Sequence, residues 1–279
     1  MGINIKLEQK EYLEELKKIE TIVGSAIMVS SSIGGIKTNS RNIRAVQLYT
    51  KLTLSSMSIM RLLPHNTYCS MTEEIWDFAS VSCLARSFLE SYHMFFYVGI
   101  EKISEEEFEF RSLLMNYHRN YEKYKMYKGR VNDENVIKEF EEGLPKEKEV
   151  LSAHPFINTF SPEVKRTLLK GNKAVYLSQK QISERIPFNT EEFDFFYRFY
   201  SNHTHSSPLG FMSQSNVRGR GNENEAERRY LIYAMNLVGK YLSAAIIDIS
   251  KIFPKQTKHL NKETDNAIKY FMKFTNKEN

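Results

Sequence analysis

Cysteine is nearly absent: Cys69 and Cys83 are the only two in 279 residues. Two thiols alone build neither a disulfide framework nor a zinc cluster. The chain therefore has no need of an oxidising compartment, and a reduced, cytoplasmic setting is the expectation. Turn formers are also scarce, with 12 Gly and 7 Pro, which argues against a strand-and-turn architecture and against disorder. No uncharged apolar run approaches the ~20 residues of a membrane span. The nearest, 230–253, is interrupted by Lys240 and Asp248. The opening stretch "MGINIKLEQKEYLEELKK" turns charged too early for a secretory leader. Gly2 suits myristoylation, but Lys6 stands where that motif needs Ser or Thr. Charge of one sign is not in large excess either. The net +5 permits an anionic partner without demanding one.

What is present is helical periodicity. Tyr12, Leu16, Ile19 and Val23 form one stripe, as the buried face of a helix does. A Ser- and Gly-rich loop, "SSSIGG", is expected next. Asn39 or Ser40 then caps a helix that stops at Pro64, and Thr72 caps another that runs to about Ile100. Ser104 with Glu107 makes a capping box for a helix ending near Gly129. The region 130–190 reads as short helices at 133–142, 145–152, 162–170 and 178–185. Further helices are expected from Thr190 to about His205, over 224–252 and over 262–275, with "QSNVRGRGNENE" a polar loop between. The expectation is an all-α, single-domain bundle of eight to ten helices around a buried central helix at about 73–100. Within it, 1–66 supplies N-terminal helices, 72–210 the core with the candidate site, and 211–279 the polar loop and C-terminal helices.

The helix "IWDFASVSCLARSFLESYHMFFYVGI" is apolar nearly all round and should be central. Yet Arg86, Glu90, His93 and Tyr97 follow one another at helical spacing and make a polar stripe. Charges buried there need partners. The other apolar helix of comparable polar density holds "FYRFYSNHTHSSPLG", residues 196–210. Tyr197, Ser201 and His205 share one of its faces, and Arg198 lies close to it. Contact between the two stripes would satisfy both. His205 falls at the helix end, where the dipole favours an imidazolium. A histidine that moves a proton beside an arginine that stabilises phosphate charge suits phosphodiester chemistry without a metal. Neither metal nor cofactor is expected. The side chains of His203 and His205 diverge on a helix, which disfavours a metal pair. Asn202 and His203 are counted as supporting residues, and Arg218 and Arg220 as contacts to nucleic-acid phosphates or, alternatively, as parts of a solvated loop.

The spacing of Arg198 with His203 and His205 resembles the R-x4–6-H motif of the HEPN superfamily, helical proteins that include metal-independent ribonucleases. The same spacing recurs at Arg86–His93 and Arg111–His118. A second resemblance spans about 75–210. "LARSFLESYHMFFYVG" with the later "YRFYSNHTHSS" is similar to a family of uncharacterised helical bacterial proteins, through Arg86, Glu90, Tyr197, Ser201 and His205. The HEPN resemblance implies an RNA-cleaving or RNA-processing protein in stress or phage defence. His205 would be base or acid, Arg198 the phosphate stabiliser, and Arg86 with Glu90 their support. The alternative is a non-catalytic helical binding or interaction module whose polar centre fixes packing or holds a ligand. RNA is the expected partner under the first reading, with a homodimer as a further expectation and no membrane association.

Overall fold

A computed structural model describes residues 2–70, 73–131, 133–205, 207–213 and 218–273. Among them are eleven α-helices, and the only β feature is a single bridge between Trp76 and Gly221. The fold is all-α. The residues divide into two compact units: one joins the chain up to Ile100 with the chain from Gln179 onward, and the other is Glu101–Ser178.

In the first unit, α1 (Gly2–Ile33) buries the expected stripe of Tyr12, Leu16, Ile19 and Val23. It does not end at the serines. Val29 and Ile33 extend the buried stripe, and the Ser32 hydroxyl donates to the Val29 carbonyl at 2.9 Å, so the segment stays helical where a loop was expected. α2 (Ser40–Leu62) is capped by Asn39, whose side chain accepts from the Asn42 amide, and it stops before Pro64 as expected.

α3 (Phe78–Phe95) starts later than the sequence suggests. Thr72, the expected cap, lies outside the described residues. Asp77 performs that role, accepting from the Ser80 amide at 3.1 Å and its hydroxyl at 2.5 Å. The preceding Trp76 amide donates to the Gly221 carbonyl at 2.9 Å, which holds "IW" extended. α3 ends in a π-helical turn, Phe96–Ile100. A Cβ on Gly99 would lie 2.6 Å from the Ala45 Cβ, so glycine allows the turn to sit directly on α2.

α7 (Gln179–Arg185) leads to α8 (Thr190–Thr204), capped by Asn189, and to the short α9 (Pro208–Met212). α10 (Glu225–Ile252) and α11 (Lys262–Met272) complete the unit. α3 packs against α2, α8 and α10, while α10 also meets α1 and α11. α10 is long and apolar enough to cross a membrane by length and composition, but 78% of that window is buried inside the protein, as in a core helix. Its buried Lys240 forms an ion pair with Glu192 of α8.

The second unit holds α4 (Glu105–Tyr127), α5 (Glu134–Ala153), a 3-10 turn at Pro155–Thr159 and α6 (Pro162–Leu168). Ser104 and Ser161 cap as expected. The expected break between 142 and 145 is absent: α5 runs through Pro145. Proline keeps a helical φ and removes one amide, and the carbonyl that loses its partner belongs to Glu141, an exposed residue that water can reach. Phe110, Leu114, Tyr117, Leu151, Ile157 and Leu168 form this unit's core.

Candidate functional site

The two polar stripes meet. Arg86 of α3 donates through Nη1 to Ser201 Oγ on α8. Its Nη2 donates to Glu90 Oε1 at 2.9 Å and to Tyr197 OH at 2.8 Å. Tyr197 in turn donates to Glu90 Oε1 at 3.1 Å, and the guanidinium lies 4.2 Å from the centroid of the Tyr197 ring. Ser201 donates to the Tyr197 carbonyl one turn back. The cluster ties α3 to α8 because Arg86 and Glu90 bond across the interface to Tyr197 and Ser201, although Arg86 Nε is buried without a hydrogen-bond partner among the described residues. Burial raises the Tyr197 pKa, Arg86 opposes that shift, and the Glu90 carboxylate adds to it. The Arg86 side chain is 15% exposed and that of Glu90 41%, so the cluster is most open to water at its carboxylate, with Tyr197 and Ser201 half-buried.

The other members of the α3 stripe have different surroundings. His93 is fully buried. Its Nδ1 is 2.6 Å from Gln179 Oε1, and its ring lies 4.4 Å from that of Phe193. Burial lowers its pKa to about 4, against smaller opposing effects of Gln179 and Glu90, so it is a neutral packing group at pH 7. Tyr97 is buried in the π-helical turn.

Arg198 and His205 are both exposed, and no contact joins their side chains among the described residues. His205 does occupy the end of α8, its amide donating to the Ser201 carbonyl at 3.0 Å. Asn202 turns the chain: its carbonyl and side chain accept from Ser207 at 3.1 and 2.6 Å. The other two Arg–His spacings belong to packing. Arg111 is buried between Glu101 and Glu107, and His118 Nδ1 lies 2.8 Å from the Gly171 carbonyl.

His203 faces away from the stripe of Tyr197, Ser201 and His205. Its ring packs against those of Phe78 and Phe199, at 5.0 and 5.1 Å. Burial and the nearby Arg218 lower its pKa. It lines a cavity of about 200 Å3 with Trp76, Asp77, Phe78, Arg218 and Glu227. Arg218 turns inward: its Nε is 3.6 Å from Glu227 Oε1, its guanidinium is 4.5 Å from the Tyr230 ring centroid, and its Nη1 donates to the Ser213 carbonyl. Arg220 is exposed. Part of the expected polar loop, 214–217, lies outside the described residues.

Sequence reasoning missed Glu227, which is 2% exposed. It follows Asn224 by three and so reads as half of a capping pair. Asn224 does cap the Glu227 amide, but the Glu227 carboxylate accepts from the Gly219 amide at 3.2 Å. Burial raises its pKa, opposed by Arg218 and by the Gly219 and Phe78 amides. Among the described residues no group of three His, Cys, Asp or Glu side chains is placed to hold a metal ion.

These features define an all-α protein in which an Arg–Glu helix is bonded to a Tyr-x3-Ser-x3-His helix. Residues 42–224 match the family of unknown function DUF5677, which is more than half of the chain, and the protein belongs to that family. No curated protein and no solved structure gives a significant match.

Proposed function

We propose that the protein is a non-catalytic helical binding module in which Arg86, Glu90, Tyr197 and Ser201 are scaffold. One observation carries this reading: both Nη nitrogens of Arg86 are committed to Ser201, Glu90 and Tyr197. An arginine that clamps a phosphate needs its fork free; the Arg86 fork holds two helices together, so the most buried arginine of the site is scaffold and only the exposed Arg198 is left for a phosphate. The cavity beside His203 is a polar space open to a ligand away from that cluster.

The second reading is HEPN-like RNA cleavage. It is favoured by the exposure of Arg198 and His205 on one side of a helix, two turns apart. His205 would take the proton of a 2′-hydroxyl as that oxygen attacks the adjacent phosphorus. Arg198 would stabilise the charge on the phosphate oxygens, and the P–O5′ bond would break with the 5′-oxygen taking its proton from water, to which His205 later returns the proton it removed. The products would carry 2′,3′-cyclic phosphate and 5′-hydroxyl ends, and DNA would resist.

One experiment separates the two. Purified protein and the Arg198→Ala and His205→Ala variants are incubated with structured and unstructured RNA in the presence of chelator, beside melting curves. The module reading expects no cleavage that depends on these residues. Cyclic-phosphate products lost by ~10²–10⁴ in rate in folded His205→Ala would replace it with the nuclease.

A further inference from the structure

The cavity between the start of α3, the end of α8 and the start of α10 has the build of a ligand site. Trp76 and Phe78 form apolar walls, and Ile75 and Ala79 stand exposed at its rim. Gly210 is brought against it by the turn at Asn202. A Cβ on Gly210 would collide with the Asn202 carbonyl. The volume of about 200 Å3 falls below the ~300–1,000 Å3 of drug-sized pockets, which restricts the occupant to one small ring system.

The polar groups define its chemistry. Glu227 is almost fully buried. Its Oε1 is engaged by the Gly219 amide and lies near Arg218. Its Oε2 is buried with no well-aligned hydrogen-bond partner among the described residues; the Phe78 amide is near enough to the carboxylate to help hold its charge but leaves room for a better donor. A buried acceptor left poorly paired is costly, and a ligand N–H would satisfy it. A phosphate is disfavoured, because it would meet both Glu227 and Asp77. A full cation is disfavoured by the Arg218 guanidinium beside the same carboxylate. A flat, neutral ring with an N–H donor fits the aromatic walls and the open oxygen together, and the imidazole of His203 adds a donor and an acceptor.

We propose that this cavity binds a single amino-bearing nucleobase, with Glu227 Oε2 accepting from the base N–H and the ring lying between Trp76 and Phe78. The inference rests on the binding-module reading and names its ligand class. Trp76 is the sole tryptophan, so its emission reports on this site alone.

The test titrates the full chain with 9-methyladenine, 9-methylguanine and 9-methylpurine, the last having a purine ring without any N–H. Saturable change in Trp76 emission is expected with at least one amino base, about tenfold tighter than with 9-methylpurine. Glu227→Gln should weaken that binding about tenfold, because the charged acceptor is lost. Ala79→Phe changes an exposed rim residue, keeps Glu227 and Arg218, and should abolish binding by filling the mouth. It decides the matter if Glu227→Gln does not fold. Adenosine monophosphate and hexaadenylate, titrated alongside, distinguish a free nucleotide from a base in a strand. No saturable change with either amino base, equal affinity for 9-methylpurine, or undiminished binding by Ala79→Phe would each overturn the proposal. Failure here leaves the scaffold role of Arg86 standing. RNA cleavage dependent on Arg198 and His205 would remove the module reading without touching the Trp76 titration.

Discussion

Arg86 joins two helices through a planar fork, and that geometry sets what each substitution does. Arg86→Ala leaves Tyr197, Ser201 and Glu90 short of partners. Breaking a buried pair costs ~3–5 kcal/mol; Glu90 is partly open to water, so a loss of about 2–4 kcal/mol is expected by chemical denaturation. Arg86→Lys should recover little, because an ammonium cannot reproduce the fork or its stacking on Tyr197. Equal stability of all three proteins would mean that the cluster does not hold the helices. His93 supplies a pH signature. Its folded pKa of about 4 lies below the unfolded value near 6.5, so the unfolded chain binds more protons between the two. Its contribution is whole above about pH 6.5 and is lost as pH falls toward 4, on the order of 3 kcal/mol over that window. His93→Gln should flatten the dependence of melting temperature on pH between 7 and 4.5; an unaltered slope would assign acid lability to other groups. The Arg86 cluster was legible in sequence because polar residues on apolar helices must find each other. Glu227 was not, because an acid in the first turn of a helix is explained locally as dipole complement or cap, and nothing local reveals that its carboxylate turns into the fold.

At the scale of elements, apolar periodicity located nearly every long helix, while the ends depended on chemistry that composition hides. Three serines in a row suggest a loop, yet in α1 they remain helical because Val29 and Ile33 are buried beside them. Pro145 suggests a break, yet α5 passes through it on the solvent side. "IWDF" suggests a helix start, yet Trp76 is drawn out of helix by its bond to Gly221, a residue 145 positions away in sequence. No local rule supplies that bond. The position of α3 against α2, α8 and α10 can be tested directly. Leu89 is fully buried, so Leu89→Ala should cost ~2–5 kcal/mol, an outcome read from the urea midpoint. Phe96, which the same reasoning from sequence would treat alike, is only half-buried and should cost less on truncation. Asp77→Ala removes the cap that starts α3 and should cost ~1 kcal/mol. A larger loss, accompanied by altered Trp76 emission, would mean that Asp77 also shapes the cavity.

The whole molecule is assembled in an order that the sequence does not announce. One compact unit is built from two distant stretches, and Glu101–Ser178 forms the other. The junction at Ile100–Ser104 carries neither Pro nor Gly, and the change there from the apolar "MFFYVGI" to the charged "EKISEEE" reads as a buried helix followed by the capped start of an exposed one rather than as a domain boundary. What marks residues 101–178 is internal: a core of Phe110, Leu114, Tyr117, Leu151, Ile157 and Leu168, with Phe110 in ring contact with Phe156 and Phe160 at 5.2 and 5.6 Å. Its buried charge is satisfied within it as well, since Arg111 meets Glu101 at 2.7 Å and also pairs with Glu107. A segment with its own apolar core and its own neutralised arginine meets the requirements for folding alone, although at this size the stability left over is small. Residues 101–178 expressed by themselves should therefore give a helical circular dichroism spectrum and a cooperative melt. Phe110→Ala should remove ~3–5 kcal/mol, which is most of what so small a unit possesses, and should leave the fragment unfolded at room temperature. Glu101→Gln should weaken it as well by leaving Arg111 under-neutralised. A fragment without a cooperative transition, or one indifferent to the loss of Phe110, would mean that this core does not sustain the segment.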